Sequence, residues 1–473
     1  MSDFTMPEDL TDALTRYFLP KLYETEDFQS FETSLVIGLR LTGAHILKDS
    51  LESFDKTLVE NKPEGWSVHA KERRSLVTLV GRIEFFRTCF KDEYGRRRLL
   101  LDELLAIPER ALLSQGAYLW VVKQASEMSY RKVARQFTEH TGAYISHVSV
   151  MHAVHEQGRL LKHHRYHEQK ISHHELCVEV DGVWIHLQSP HHRKVALPRV
   201  LYEQARKTQS FELKVACFYA GKTQNNNRIC RVGLGLSALD GSPDAFWENL
   251  WQEICSSYEE QDIEHIHVGA DGASWCMDKL LTELMSTTTQ IDYHLDLFHL
   301  TQAIAKAYPK GPVRTKARQL LFSGKAHVLA KASDKIASVC DNSARKDKLK
   351  ALSSYITKHL DAISKEAPSL GTMEGTIAHV VAPRLKRQGR SWSRQGAEAM
   401  VLIRCALASD KELIAPMRNP YFSEREIEIK NKALQKHRAS SVALTEGKGY
   451  EYPHQVLAQS LSSRANYLIC TAP

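Results

Sequence analysis

The sequence has no apolar run long enough to cross a membrane. None of its stretches approaches the ~20 consecutive apolar residues that a spanning helix needs. The first residues, MSDFTMPEDLTDAL, are acidic and lack the basic segment followed by an apolar one that marks a secretion signal. We therefore expect a cytoplasmic protein that does not enter a membrane.

Closely paired cysteines are also absent. The 473 residues include nine cysteines, an odd number, and no two of them are spaced as C-x-x-C. This pattern argues against a disulfide framework and against a zinc site made of thiolates, so most cysteines should be reduced residues of the core. With 43% hydrophobic and 25% charged residues, the composition excludes a largely disordered chain. The net charge of +7 fits a polyanionic partner such as DNA, and equally an ordinary basic protein.

The amino-terminal part is expected to be mainly helical. Residues 1–115 read as helices followed by a small basic β-element, with two short strands around Gly81. Residues 116–170 then contain two short helical patterns joined at Gly142, which is typical of a helix-turn-helix DNA-binding domain and also of a plain helical hairpin. The polar positions expected to contact DNA are Arg131, Lys132, Arg135, Ser146, His147 and Ser149. The seven histidines of residues 151–175 have no strong zinc spacing.

From residue 171 the pattern becomes that of an α/β domain. Three consecutive strands, a helix, a fourth strand and a fifth strand give a sheet that begins with a meander. The predicted strands are 176–188, 211–221, 231–239, 263–272 and 290–299, and the helix is 244–258. The first part of this domain is assigned to 171–301, a Lys- and Ala-rich helical insertion to 302–366, a further helical part to 367–410 and a tail to 411–473.

Two strands of this domain carry an Asp-Gly pair. Asp181 lies in VEVDGVWIHLQ, and Asp271 lies in HIHVGADGASW. Aspartate is a poor strand former and is costly to bury alone, so each carboxylate calls for a reason. If the two strands are neighbours, the carboxylates meet, and a divalent cation such as Mg²⁺ or Mn²⁺ relieves their repulsion. Asp-Gly is also a common turn dipeptide, and an ordinary turn remains an alternative.

A third carboxylate and a possible supporting pair follow. Glu374 lies at the head of an amphipathic pattern that Thr372 would cap, although helix-terminus electrostatics alone would place a glutamate there. Asp296 and His299 are three residues apart, one turn of a helix. The two side chains would either orient another group of the site or only form a structural hydrogen bond with each other.

Taken together, these segments resemble the DDE transposases. The resemblance rests on VEVDGVWIHLQ, VGADGASW, LDLFHL and GTMEGTIAHVVAPRLKRQGRSWS, and it covers roughly residues 70–410. More narrowly, the chain resembles a bacterial insertion-sequence family distantly related to the mutator-type transposases. In mutator-like enzymes a D-x-x-H signature lies between the second Asp and the Glu, and Asp296 and His299 match that order.

The resemblance implies a ribonuclease H-like α/β fold. It is a mixed sheet flanked by helices, here with a helical insertion and a mainly helical DNA-binding region before it. The first Asp lies on the first strand, the second on the fourth, and the Glu on a later helix. By this resemblance Asp181, Asp271 and Glu374 would be catalytic and would bind two Mg²⁺ or Mn²⁺ ions, with Asp296 and His299 behind them. A water and then a DNA 3′-hydroxyl would attack phosphodiesters.

The same resemblance implies double-stranded DNA as the partner, namely terminal repeats and a target, and a homo-oligomer on that DNA. Basic residues after the Glu would contact phosphates next to the cleavage site; they are Arg384, Lys386, Arg387, Arg390 and Arg394. Two alternatives stay open. One is a ribonuclease H-like nuclease without strand transfer. The other is a DNA-binding regulator with an inactive catalytic domain, against which the presence of all three acidic positions argues.

Overall fold

The computed structural model describes residues 8–164, 166, 169–188, 210–225, 228–277, 289–364, 370–386 and 391–417. The described residues divide into two compact units, the first within residues 8–112 and the second within residues 113–416. Among the described residues, no helix combines the length and the apolar composition that a membrane crossing requires.

The first unit is a long helix packed on a β-hairpin. The strands turn at Gly81, where a φ of +117° suits glycine and Thr78 pairs with Gly81. Asp55 on the long helix is buried, and its carboxylate accepts hydrogen bonds from the backbone N–H of Thr88 at 2.9 Å and from its hydroxyl at 2.7 Å. The elements are α1 (Glu8–Glu24), α2 (Phe28–Glu60), β1 (Ser67–Thr78), β2 (Gly81–Lys91), β3 (Arg97–Arg98) and α3 (Leu100–Leu104).

The second unit begins with three helices, α4 (Gln115–Glu127), α5 (Tyr130–Thr141) and α6 (His147–His163). Helix α5 ends at Gly142, which has a φ of +70°, so the two helices expected around this glycine are present. The sequence pattern predicts Ile145, Val148 and Met151 as the apolar face of the second helix, and this prediction is wrong in part. Val148 is exposed, because α6 begins only at His147 and its buried face is set by Val150, Ala153 and Val154.

A mixed sheet of five strands forms the centre of this unit. Its order is β10-β9-β4-β5-β8; β4 pairs antiparallel with β5 and β5 with β8, whereas β9 is parallel to both β4 and β10. The five expected strands are thus present, but the third is split at Gly233, where φ is +62°. The elements are β4 (Glu175–His186), β5 (Ser210–Tyr219), the separate hairpin β6 (Gly221–Asn225) and β7 (Arg228–Val232), β8 (Gly235–Leu239), α7 (Pro243–Ser257), β9 (His265–Ala270) and β10 (Gln290–Leu295).

Among the described residues of this unit, two apolar cores are present. In the first, Leu176, Val178 and Val180 alternate along β4 and pack with Phe246 and Trp247 of α7. The second core belongs to a helical segment that follows β10 and is built around residues such as Leu300, Leu329 and Leu349. The helices of that segment are α8 (Leu297–Ala307), α9 (Pro312–Phe322), α10 (Ala326–Ser338), α11 (Ser343–Lys358) and α12 (Leu360–Ser364).

The last described segment returns to the sheet. It contains α13 (Met373–Thr376), a π-helical turn (Ile377–Val381), α14 (Ala382–Leu385) and α15 (Arg394–Ala408). Helix α15 packs on α6 and β8. Gly158 of α6 permits this contact, since a Cβ there would lie 2.4 Å from the Cβ of Ala399. Trp392 extends the sheet at the end of β4, where its N–H donates to the carbonyl of His186 at 2.9 Å.

Candidate active site

Three acidic residues meet where the parallel strands of the sheet end. The β4–β9 pairing ends with Glu179 opposite Gly269. Two residues further along the chain are Asp181, still in β4, and Asp271, just after the end of β9. Strand β10 adds Asp296, whose N–H donates to the carbonyl of Ala270 at 2.7 Å. Because neighbouring parallel strands end at the same edge of a sheet, their register alone brings these three positions together.

Asp181 lies inside β4, within the strand predicted over 176–188, and the alternative of an ordinary Asp-Gly turn is wrong at this position. Strand β4 runs on to His186 because β5 continues to pair with it, with Val215 opposite Asp181 and Lys214 opposite Gly182. Only the parallel pairing with β9 has stopped. A Cβ on Gly182 would lie 2.2 Å from a carboxylate oxygen of Glu212, so a larger residue there would require the end of this flexible side chain to move.

Asp271 does lie in a turn, and that turn is braced by its own residues and by α11. Its Oδ1 accepts a hydrogen bond from the N–H of Ala273 at 2.8 Å. The hydroxyl of Tyr355 donates to the Asp271 carbonyl at 2.5 Å. Gly272 has a φ of +84°, and a Cβ there would lie 2.9 Å from Nε2 of His359. The backbone that carries the second aspartate therefore has little freedom.

His299 completes a group of three possible ligands. One ligand atom from each of Asp181, Asp271 and His299 lies within 4.8 Å of the other two. Asp296 caps helix α8 through Oδ1, which accepts from the N–H of Phe298, and its Oδ2 lies 2.8 Å from Nδ1 of His299. The D-x-x-H spacing thus places Asp296 and His299 one helical turn apart, and the hydrogen bond between them fixes the imidazole through its Nδ1.

The group is electrostatically strained. Burial raises the pKa of the Asp181 carboxyl from 3.8 to about 6, and the Asp271 and Asp296 carboxylates add to the rise while His299 opposes it. The hydrogen bond to Asp296 raises the pKa of His299 above its ordinary 6.5, and the charge of Asp181 adds to this. Burial thus disfavours the charged form of Asp181, and the carboxylates around His299 favour its protonated form, so a proton or another cation between these side chains is favoured.

The three side chains fit one divalent ion. Opposite ligands of an octahedral Mg²⁺ ion are about 4.2 Å apart, so atoms within 4.8 Å of one another need only small adjustments. Carboxylate oxygens suit Mg²⁺ and Mn²⁺, and the imidazole is the softer member of the set. Within the described residues Glu374 is not part of this group, so the side chains that meet here support one of the two expected ions.

Glu374 is exposed, and the segment before it is tied to β4 through a buried glutamate. The carboxylate of Glu179 accepts hydrogen bonds from the N–H groups of Gly371 at 2.9 Å, Thr372 at 2.8 Å and Met373 at 3.1 Å. It also accepts from the hydroxyl of Tyr219 at 2.7 Å and from that of Thr372. Thr372 precedes α13 as expected, but its side chain makes no capping bond, because its hydroxyl is used by Glu179.

Glu179 is the residue that the sequence interpretation missed. It stands two residues before Asp181, so it shares that face of β4. Its signal was a charged residue within VEVD, an otherwise apolar strand pattern. The side chain is 3% exposed, yet five hydrogen bonds satisfy it.

The expected DNA contacts of the helical pair fall into two kinds. Arg131, Lys132, Arg135 and His147 are exposed, with Arg135 3.7 Å from Glu139. Ser146 instead caps α6, accepting a hydrogen bond from the N–H of Ser149 at 3.0 Å, and the two hydroxyls are 3.0 Å apart. The serines therefore shape the helix start, and the basic residues provide the accessible charge.

The basic residues after Glu374 are not equivalent. Arg384 is 4% exposed; its Nε donates to the carbonyl of Ala125 at 2.9 Å, and its guanidinium stacks over the rings of Tyr130 and Trp392. It holds the fold and is not at the surface. Lys386 is exposed, and Arg394 pairs with Asp240 at 3.0 Å while remaining 59% exposed. Arg387 and Arg390 lie outside the described residues.

Comparison with known proteins places the chain in a family. The sequence pattern of the Uncharacterised protein family (UPF0236) matches residues 23–415. The chain belongs to this family. A UPF0236 protein of Caldanaerobacter subterraneus subsp. tengcongensis is 27% identical over 375 residues, 76% of this chain and 70% of the relative. Another from the same organism, whose name joins four gene designations, is 27% identical over 371 residues, 76% of this chain and 74% of the relative.

One solved structure aligns more loosely. It is a Drosophila P element transposase strand transfer complex, which matches 63% of this chain and 80% of its own at 8% identity. The TM-score of 0.24 is too low to establish a common fold.

Proposed function

We propose that this chain is a DNA transposase that cleaves the ends of an insertion sequence and joins them to target DNA with the help of Mg²⁺ or Mn²⁺. The observation that carries the proposal is the meeting of Asp181, Asp271 and His299 within 4.8 Å at the end of three parallel strands. Such a cluster is costly without a cation, and acidic groups that hold hard divalent ions are suited to phosphodiester chemistry.

The order of the strands supports a ribonuclease H-like fold for the second unit. Counted along the chain, Asp181 lies on the first strand of this sheet and Asp271 follows the fourth, as the resemblance to DDE transposases implies. The first three strands, β4, β5 and β8, are antiparallel neighbours, and β9 and β10 add in parallel on the other side of β4. A helical segment, α8–α12, separates the fifth strand from Glu374.

Each residue of the site has a proposed role. Asp181 and Asp271 would hold the ion, and Asp296 would keep the His299 ring turned toward them. A divalent ion in this position supplies charge to activate an attacking oxygen and to stabilise the leaving one. Glu179 would hold residues 371–373 against β4 and so fix the position from which Glu374 reaches the site. Glu374 is proposed as the third acidic residue, acting once DNA is bound.

Double-stranded DNA is the proposed partner, bound by a homo-oligomer that pairs two ends. The exposed Arg131, Lys132, Arg135 and His147 of the helical pair are the proposed contacts to the terminal repeats, and Lys386 and Arg394 those near the cleavage site. The relative whose name joins four gene designations of one organism supports the proposal that this chain is a transposase, because genes present in several copies are typical of mobile elements. The expected cytoplasmic location follows from the same proposal, since the DNA lies there.

A strand-transfer assay separates the proposal from a nuclease. Short duplexes that carry the ends of the insertion sequence, already cut to expose the 3′-hydroxyl, are mixed with the full chain, a supercoiled plasmid and Mn²⁺. The proposal predicts joined products that disappear when Asp181 is replaced by Asn. A parallel reaction uses uncut duplexes of the same ends. Cleavage of these without any joining of the pre-cut ends would favour the nuclease, and DNA binding without cleavage or joining would favour the inactive regulator.

Salt dependence of DNA binding tests the helical pair. Removing two phosphate contacts, by Arg131→Ala with Lys132→Ala, should weaken binding to end DNA and to unrelated DNA alike. It should lower the slope of log affinity against log salt by about 2. The control is the same charge loss in the first unit, Lys56→Ala with Lys62→Ala, both exposed. Equal slopes for the two double variants would remove α5 from the proposed interface.

A further inference from the structure

A second group of side chains with metal-binding atoms lies at the opposite end of the parallel strands. One ligand atom from each of Glu175, His265 and His267 lies within 4.8 Å of the other two. Asp181 lies six positions after Glu175 along β4, and Asp271 lies six positions after His265, just past the end of β9. At about 3.3 Å for each strand residue, the two groups are about 20 Å apart.

The strand register explains why these residues meet. Glu175 and His265 are direct partners in the parallel β4–β9 pairing, and His267 is two residues further along β9, on the same face. Strand β10 places Asp292 opposite His267, so a third strand supplies polar side chains to this face. The group is therefore built by the sheet itself and does not depend on a loop.

Hydrogen bonds orient both imidazoles. Nε2 of His265 lies 2.8 Å from a carboxylate oxygen of Asp292, and Nδ1 of His267 lies 3.1 Å from Nε2 of His294. A metal-bound histidine usually gives its second ring nitrogen to such a partner, most often a carboxylate or a carbonyl. The His265–Asp292 pair has this arrangement, which would leave Nδ1 of His265 as its ligand atom.

The chemistry of the donors differs from that of the candidate active site. Two imidazoles and one carboxylate form a set that zinc sites use, whereas Mg²⁺ prefers oxygen atoms throughout. Burial is graded across the group: His267 is 8% exposed, His265 is partly buried and Glu175 is exposed. An ion could reach the group from the Glu175 side and would then rest against the sheet.

We propose that Glu175, His265 and His267 bind a Zn²⁺ ion that links the beginnings of β4 and β9, with Asp292 of β10 holding His265 in position. The ion would join the strands whose other ends carry Asp181 and Asp271. Its role would be structural, and the site does not depend on the function proposed for the chain.

Zinc titration of the full, tag-free chain tests this site. All proteins carry Asp181→Asn, so that the acidic cluster at the far end of the strands does not add a competing site. Zinc affinity is measured by competition with a coloured chelator, and the metal content after dialysis by mass spectrometry. Glu175→Gln removes a ligand, Asp292→Asn removes the partner of His265, and Glu264→Gln is the matched control because Glu264 is exposed and adjoins β9.

The expected result is about one zinc ion for each chain in the background protein and in the Glu264→Gln control. Loss of the Asp292 carboxylate should weaken binding by about 10–100-fold, and loss of Glu175 by at least about 10-fold. Circular dichroism of the metal-free proteins checks their folding, and the exposed Glu175 variant decides if the Asp292 variant does not fold. The proposal is overturned if the background protein binds no zinc, or if Glu175→Gln binds it as tightly as the control.

Discussion

Replacing Asp181 by Asn should stabilise the protein when no divalent ion is present. The rise in the pKa of this carboxyl from 3.8 to about 6 corresponds, at about 1.4 kcal/mol for each pH unit, to about 3 kcal/mol. This free energy is the cost of keeping the carboxylate charged in the folded chain. Asn removes the charge but also loses the attraction to His299, so we expect a net gain of about 1–2 kcal/mol at pH 8.

The gain should depend on pH in a defined direction. Because the pKa of this carboxyl is higher in the folded chain than in the unfolded chain, its protonation stabilises the folded state. This contribution is complete below pH 3.8, where the carboxyl is protonated in both states, and is lost as the pH rises through about 6. The variant should therefore exceed the original chain most clearly above pH 6 and lose its advantage toward pH 4. A divalent ion should reverse the order at pH 8, because it stabilises only the protein that binds it.

Urea unfolding followed by tryptophan fluorescence measures this difference. Six of the seven tryptophans lie in the second unit, so the signal reports mainly on the unit that contains the site. Samples in EDTA and in Mg²⁺ are compared at pH 5 and pH 8. The control is Asp334→Asn, an exposed aspartate of α10, which should change the free energy of unfolding by less than about 0.5 kcal/mol. An Asp181→Asn protein that is less stable than the original chain in EDTA at pH 8 would refute the reasoning.

Three further predictions concern neighbours of the site. Glu179→Gln places an amide N–H₂ group against the backbone N–H donors of residues 371 and 372. It should lower the free energy of unfolding, measured in urea, by about 1–3 kcal/mol and also reduce DNA cleavage. An unchanged unfolding free energy and an unchanged cleavage rate would contradict the positioning role of Glu179. Asp296→Asn should lower the pKa of His299 in metal-free protein, read from imidazole NMR shifts against pH; an unchanged pKa would contradict the assigned hydrogen bond. Gly272→Ala should destabilise the chain more than Gly324→Ala. Both glycines have a positive φ, but only at Gly272 would the added Cβ contact a side chain, that of His359. Equal losses of unfolding free energy in the two variants would contradict this contact.

The strands that carry the two aspartates could be predicted from the sequence, whereas the meeting of the aspartates was implied only by the resemblance to the DDE transposases. The apolar runs around Asp181 and Asp271 are local patterns, and local patterns are what period-2 alternation reports. The turn that stayed an alternative at Asp181 was also a local signal: an Asp-Gly pair normally marks a turn, and here the pairing of β4 with β5 keeps it extended. Tertiary pairing therefore overrode a dipeptide preference.

Contacts between distant segments could not be predicted. Glu179 binds a segment 192 to 194 residues further along the chain, and no feature near either end encodes that meeting. The burial of Arg384 depends likewise on α4 and on Trp392, which flank it only in the folded chain. The group around His265 was missed for the same reason, since it depends on the register of β9 against β4.

The most direct test of the central claim is cleavage of DNA that carries the ends of the insertion sequence. Original, Asp181→Asn, Asp271→Asn and Asp334→Asn proteins are compared with Mg²⁺, with Mn²⁺ and with EDTA. We predict cleavage by the original chain and by the Asp334 variant with either metal, none with EDTA, and loss of cleavage to background in both site variants. Cleavage that survives Asp181→Asn and Asp271→Asn at the original rate would contradict the claim that this cluster is the catalytic centre.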